Sequence, residues 1–269
     1  MERLTEFRKS VYLRKQALNI YLGFHFYFVM NALIITLISS SCTLEQLDDC
    51  FTNAGKQVIE DRTAKAFTKI ELYDNINLVL LPGKTPQIRV EGGENILESV
   101  KTDFDNDTLV IRNTMKCNWT RSYNRELTVY ASITALKEIS YEGSGDIKSS
   151  GQLSMDSLKV NIWGGAGTFE IDVDINKLNL SLHYGTVDLH IRGKSMITTI
   201  IAGSYGPFYC NDLISNIVYI SNGGSNDCYV NAVHILEAGV FSTGNIYYTG
   251  DPYKLKSIIT GSGRLIKVD

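Results

Sequence analysis

"GSGDIKSSGQLSMDSLKVNIWGGAGTFEIDVDINKLNLSLHYGTVDLHIRG", residues 143–193, is the stretch on which the fold turns. Its opening, "GSGDIKSS", has the look of a phosphate loop: two glycines, then serines and a lysine. A phosphate loop needs a helix behind it whose N-terminus faces the anion. The residues behind this one alternate instead. Leu158, Val160 and Ile162 lead to a glycine turn, then Phe169, Ile171 and Val173; Leu178, Leu180 and Leu182 lead to another, then Val187, Leu189 and Ile191. Period two on both sides of a glycine turn describes two short strands with one face inward. No helix comes after the loop, so the opening is a corner between strands.

The corner recurs. "GSGDI" at 143 is followed by "GAGTF" at 165, "GTVDL" at 185, "SYGPF" at 204, "GSNDC" at 224, "STGNI" at 242 and "GSGRL" at 261, with starts 22, 20, 19, 20, 18 and 19 residues apart. The fifth place is always apolar: Ile147, Phe169, Leu189, Phe208, Cys228, Ile246 and Leu265. The third place is Gly145, Gly167, Gly206, Gly244 or Gly263, with Val187 and Asn226 the exceptions. A period near 20 marks a solenoid. Leucine-rich repeats have a similar period but need a fixed leucine pattern ending in Asn, which is missing here. The expectation is an all-β fold, a right-handed parallel β-helix (a solenoid) with coils of about 20 residues stacked roughly 4.8 Å apart. Glycine at the third place suits a corner of positive φ.

Upstream the rhythm loosens. Ile76, Leu78 and Leu80 alternate, a Pro-Gly turn follows, then Ile88 and Val90. "ENILESVKTDF" reads as a short helical excursion with Ile96, Leu97 and Val100 on one face. "TLVIRN" and "ELTVYA" read as strands. Residues 56–135 are therefore expected to form irregular first coils, with a loop at 117–125, and 136–269 seven regular coils of one domain.

The first 41 residues are of another kind. Arg3, Arg8, Lys9, Arg14 and Lys15 precede the apolar run "IYLGFHFYFVMNALIITLIS", and Ser39, Ser40 and Ser41 lead to Cys42. A positive start, an apolar stretch and small residues before a cleavage point make a secretion signal. A cysteine at that point resembles a bacterial lipoprotein signal, although Ser39 stands where an aliphatic residue is usual. The run is also long enough for an uncleaved anchor, and Met30 is an alternative start. The expectation is a signal peptide at 1–41, lipidation at Cys42 and a tether at 42–55. Glu45, Asp48 and Asp49 resemble the acidic signal that sends some lipoproteins to the outer surface.

Removing 1–41 takes away five basic and two acidic residues, leaving 21 Lys and Arg against 27 Asp and Glu, a net charge of −6. Such a body carries no nucleic-acid footprint. The remaining cysteines, Cys50, Cys117, Cys210 and Cys228, form no Cys-x-x-Cys or Cys/His cluster, so no metal is expected. Export permits disulfides, with pairing open; Cys210 and Cys228 fall at inward places and read as buried thiols.

If the fifth place faces inward, the sixth faces solvent: Lys148, Glu170, His190, Tyr209, Tyr229, Tyr247, Ile266. Tyr209, Tyr229 and Tyr247 would form a ladder, bordered by Asp188 at place four and by Arg192, Asn211 and Asn231 at place eight. Aromatic rings beside hydrogen-bonding groups suit a sugar polymer; stacked tyrosines also simply brace neighbouring coils. A rival reading makes Glu170, Asp172, Asp188 and His190 an acid–base group of a polysaccharide lyase or hydrolase. His183 and His234 stand alone and read as structural.

The exported leader, "FTKIELYDNINLVLLPGKTPQIRVEGGENILESVKTDFDNDTLVIRN" and "LKEISYEGSGDI" together resemble the auto-transporter adhesin family with a GIN head domain, over about residues 60–269. The resemblance implies a β-helix-like body on a bacterial lipoprotein and brings no catalytic residues. The reading is a non-catalytic, lipid-anchored protein of the cell envelope, at the outer membrane, that presents a β-helix face for adhesion to a glycan or a cell-surface protein, with no cofactor. The alternatives are the β-helix enzyme and a purely structural envelope protein.

Overall fold

The computed structural model describes residues 29–31, 33, 54–115 and 126–269. Most of the leader, Cys42, Cys50, nearly all of the tether and the 117–125 segment with Cys117 lie outside the described residues. Residues 29–31 and 33 are helical, and among the described residues no helix is long and apolar enough to cross a membrane. Residues 54–115 and 126–269 belong to one compact unit.

The unit begins with β1 (Gln57–Arg62), β2 (Lys69–Asp74), β3 (Ile76–Pro82), β4 (Ile88–Gly93), β5 (Val100–Asp105), β6 (Thr108–Asn113), β7 (Leu127–Ile133) and β8 (Glu138–Gly143). The long strands β9 (Ile147–Gly165), β10 (Thr168–Gly185), β11 (Asp188–Ala202), β12 (Phe208–Asn222) and β13 (Cys228–Val240) come next. The chain ends with β14 (Ile246–Thr249), β15 (Lys254–Ile259) and β16 (Leu265–Lys267). It is a β-solenoid of about six turns with coils about 20 residues apart.

Each long strand has two arms, one on either side of the core. The division is plain at β13, whose first arm pairs with β14 and whose second pairs with β15, both parallel. All the pairings from β9 onward are parallel, and the register stacks Ile147, Phe169, Leu189, Phe208, Cys228, Ile246 and Leu265 in one column. The first six are fully buried and Leu265, in the last short strand, is half-buried. Each fully buried aliphatic side chain contributes about 1.5–3 kcal/mol by leaving water. Cys210 and Cys228 are free, buried thiols.

The glycine column has a different cause from the one its spacing suggests. Of the five third-place glycines only Gly167 has positive φ, at 103°. At Gly145, Gly206, Gly244 and Gly263 a Cβ would run into the carbonyl oxygen of Ile76, Val187, Asn226 and Gly244 in the adjoining coil. Close approach of two backbones selects glycine there. Asn222, fully buried, staples another corner: its Nδ2 donates to Asn226 O (3.0 Å) and Asn245 O (3.1 Å), and its Oδ1 accepts from Gly224 N (3.0 Å).

The first coils do not stack in chain order. β2 pairs with β6 on one side and β8 on the other, and β3 lies between β7 and β9, all parallel. The β2–β3 coil is thus threaded between two coils that come later in sequence. Beyond it β4 joins β7, β1 joins β4 and β5 joins β6, each antiparallel. The expected helical excursion shrinks to one 3₁₀ turn, Leu97–Ser99, because Val100 begins β5; Ile96, Leu97 and Val100 are nonetheless buried.

Candidate functional site

The outward residues of the first arms build the site. Register pairs Glu170 with His190, His190 with Tyr209, Tyr209 with Tyr229, and Tyr229 with Tyr247. The alternation that buries Leu189 and Phe208 therefore aligns these side chains outside. Ring centroids are 4.6 Å apart for His190–Tyr209, 5.5 Å for Tyr209–Tyr229 and 4.9 Å for Tyr229–Tyr247, with interplanar angles of 22°, 14° and 10°. The sequence missed one consequence: in such a stack each ring covers its neighbour's face. Solvent meets ring edges and phenolic hydroxyls, and a flat face is free only at an end. Burial raises the Tyr229 phenol above its ordinary value, with Asp227, Tyr247 and Tyr209 adding, so it stays a neutral donor and acceptor.

Place eight is less regular. Between Phe208 and Leu213 β12 holds one residue more than β11 does between Leu189 and Gly193. Against β13 the slip is larger, with Cys210 opposite Val230 but Ile214 opposite Asn231. Asn211 and Asp212 sit in this bulge. Bulges re-aim side chains beside functional sites, and here one flanks a cavity of 370 Å³ lined by Thr168, Glu170, His190, Ile191, Arg192, Tyr209, Asn211 and Asp212. Asn231 Nδ2 steadies the bulge by donating to Asn211 O at 3.3 Å.

Arg192 spans the neighbouring coil. Its Nη1 donates to Glu170 Oε1 at 2.7 Å and its Nε lies 3.4 Å from Asp172 Oδ2. These bonds to Glu170 and Asp172 hold the guanidinium above its ordinary value. The two carboxylates face one guanidinium rather than each other, which is a poor arrangement for an acid–base pair across a bond to be cut. Among the described residues no group of three or more His, Cys, Asp or Glu is placed to hold a metal ion.

The structure thus gathers Glu170, His190, Arg192, Tyr209 and Asn211 around one cavity. Tyr229, Tyr247 and Asn231 lie further along the stack. Asp188 precedes the cavity on β11 without lining it. Thr168 and Asp212 escaped sequence reading, since a bulge leaves the spacing of the apolar column unchanged. His183, a lone histidine by its spacing, stacks on Trp163 with centroids 3.7 Å apart and planes 7° off parallel. Burial lowers its imidazole, helped by Lys159. His234 makes a tilted contact with Tyr253 at 5.7 Å.

Three solved structures share this architecture. A "putative adhesin" of Bacteroides fragilis is 24% identical over 79% of this chain and 97% of its own, with a TM-score of 0.73. A "putative adhesin" of Parabacteroides merdae is 19% identical over 80% and 97%, with a TM-score of 0.58. A "putative lipid binding protein" of Parabacteroides distasonis is 20% identical over 80% and 98%, with a TM-score of 0.61. At such identities these likenesses speak for the fold alone. Among curated protein sequences none matches this chain. The family model described as "putative auto-transporter adhesin, head GIN domain" matches residues 66–252. With the model covering well over half of its length, the chain belongs to the auto-transporter adhesin family with a GIN head domain.

Proposed function

We propose that the chain is a non-catalytic surface lipoprotein, anchored through Cys42 at the outer membrane, whose solenoid binds glycan. The observation that carries the reading is the cavity at the His190 end of the aromatic stack. Only an end of that stack offers a ring face, and this end adjoins a guanidinium, carboxylates and an amide within one cavity. Sugar hydroxyls donate to carboxylates and accept from Arg and Asn, while their C–H faces stack on rings. Glu170 and Asp212 outnumber Arg192 in the lining, which favours a neutral polymer over an acidic one. Membership of an adhesin family supports display at the cell surface.

The test is a glycan-array screen of the purified full chain beside its Arg192→Ala and Asn211→Ala variants, with a polysaccharide-degradation assay in parallel. Wild type is expected to bind neutral glycans, both variants to lose that binding, and none to release sugar. Turnover, or an array on which wild type binds nothing, would sink the proposal.

A further inference from the structure

A second aromatic group stands at the corner just before the cavity. Trp163 lies in the last three residues of β9, Tyr184 is the penultimate residue of β10, and Tyr205 lies in the turn before β12. Tyr184 and Tyr205 are 66% and 65% exposed, far more than the half-buried rings of the tyrosine stack. Among the described residues the only ring beside Tyr184 is Trp163, in a tilted contact at 6.1 Å, and Tyr205 stacks on no ring. No ring among the described residues lies stacked on either of them, where Tyr229 has one on each face. The backbone beneath them is held firmly: Tyr205 N donates to Gly185 O at 3.2 Å, Ser204 Oγ to the same oxygen at 3.0 Å, and Asn226 Nδ2 to Tyr205 O. Exposed rings on a rigid backbone stack on a ligand at low entropic cost.

An independent observation lies between that corner and the cavity. At place four and its counterpart Asn77, a rail of four side chains accepts from the backbone of the coil above, whereas at Thr168 the N–H of Asp188 goes to the Gly167 carbonyl instead. Asn77 Oδ1 accepts from Asp146 N (2.8 Å), Asp146 Oδ1 from Thr168 N (2.8 Å), Asp227 Oδ1 from Asn245 N (2.8 Å) and Asn245 Oδ1 from Arg264 N (2.9 Å). At Asp188 the coil above presents Pro207, which has no N–H to give. The exposed Asp188 carboxylate is left out of the rail, four residues after Tyr184 and two before His190.

We infer that Tyr184 and Tyr205 form a carbohydrate-stacking subsite and that Asp188 accepts from the hydroxyls of the bound sugar. A neutral polysaccharide then crosses the coils, around the corner and into the cavity, rather than lying down the tyrosine stack. The inference rests on the glycan reading above and adds the path that the ligand takes.

Affinity electrophoresis of the full chain through native gels containing mannan, xylan, starch or dextran tests it. Wild type should be retarded by at least one of the four. Tyr184→Ala/Tyr205→Ala should weaken that retardation at least about tenfold, and Tyr184→Phe/Tyr205→Phe should keep it within about threefold, since stacking needs the ring and not the hydroxyl. All three proteins should unfold at one temperature, because both side chains project into solvent. Retention unchanged in the alanine variant but lost in Asn211→Ala would overturn the corner subsite and leave the cavity reading standing. Retention by none of the four polymers would overturn both. A protein ligand lost on the alanine substitutions, with no retention by polysaccharide, would overturn the carbohydrate assignment.

Discussion

Tyr141 and Ala166 stand 25 residues apart, yet the Tyr141 hydroxyl lies 2.6 Å from the Ala166 carbonyl oxygen, and equally 2.6 Å from that of Gly145. One buried phenol thereby ties two successive corners of the solenoid. Burial pushes its pKa far above the ordinary tyrosine value, with Asp146 adding. Tyr141→Phe keeps the ring and removes the single O–H that the two carbonyls share. The variant should lose about 1–2 kcal/mol, or roughly 2–8 °C in Tm. A thermal melt indistinguishable from wild type would show that water replaces the hydroxyl.

Leu189 and His190 are adjacent in sequence and opposite in environment, the first fully buried and the second exposed against Tyr209. Leu189→Asp places a carboxylate in the apolar column and should cost at least about 4 kcal/mol, enough to unfold the middle coils. His190→Asn gives up one stacked contact and should cost about 1 kcal/mol or less. Urea unfolding compares them, and equal losses would reverse the assignment of inside and outside.

The stacked rings predict a gradient. Tyr229 has a ring on both faces and Tyr247 on one. Tyr229→Ser should therefore lower stability by about 1–2 kcal/mol and Tyr247→Ser by about half as much. A larger loss at Tyr247 would mean that the stack is not what braces these coils.

Cys228 gives the fold an alkaline limit. Burial pushes its thiol from the ordinary 9.0 up to about 12, with Asp227 adding, and burial likewise raises Cys210, with Cys228 adding. The unfolded chain thus releases these protons at lower pH than the folded one. Their contribution to stability is complete below pH 9.0 and is lost as pH rises from there toward about 12. Wild type should lose stability between pH 9 and about 10.5 more steeply than Cys210→Ala/Cys228→Ala. Parallel slopes would assign the alkaline loss to other groups.

The anchor is tested apart from the fold. Cys42→Ala should leave a precursor of unprocessed length and abolish partition into the detergent phase. Wild-type migration and partition in that variant would remove the lipoprotein reading.

The apolar column was legible because one constraint, an inward side chain every coil, repeats at every fifth place from Ile147 to Leu265. The threaded β2–β3 coil was not, since Leu78 pairs with Ile147, 69 residues away, and no local period reports a partner so distant. The ladder positions of His190, Tyr209, Tyr229 and Tyr247 followed from alternation. The orientation of their rings did not, because strand register places a Cβ and leaves the χ angles to packing. The stacking of His183 on Trp163 was not legible for a related reason. They meet across a bulge, with Tyr184 in register opposite Trp163, and a bulge displaces side chains from the columns that the repeat defines.

The threaded coil divides the assembly of the molecule in time. Among β9 to β16 every pairing joins residues 17–22 apart, so each new coil closes a short loop on the one before it and growth propagates like a zipper. β3, with the sequence INLVLLP, has no such neighbour. It leaves the ribosome well before β7 and β9, the two strands that flank it, and keeps both hydrogen-bonding edges open meanwhile. Closing those long loops is the slow step, and it is the interval in which an unpaired, hydrophobic strand is exposed to aggregation. In pulse-labelled hydrogen exchange during refolding, amides of β10 to β13 should gain protection before those of β2 and β3.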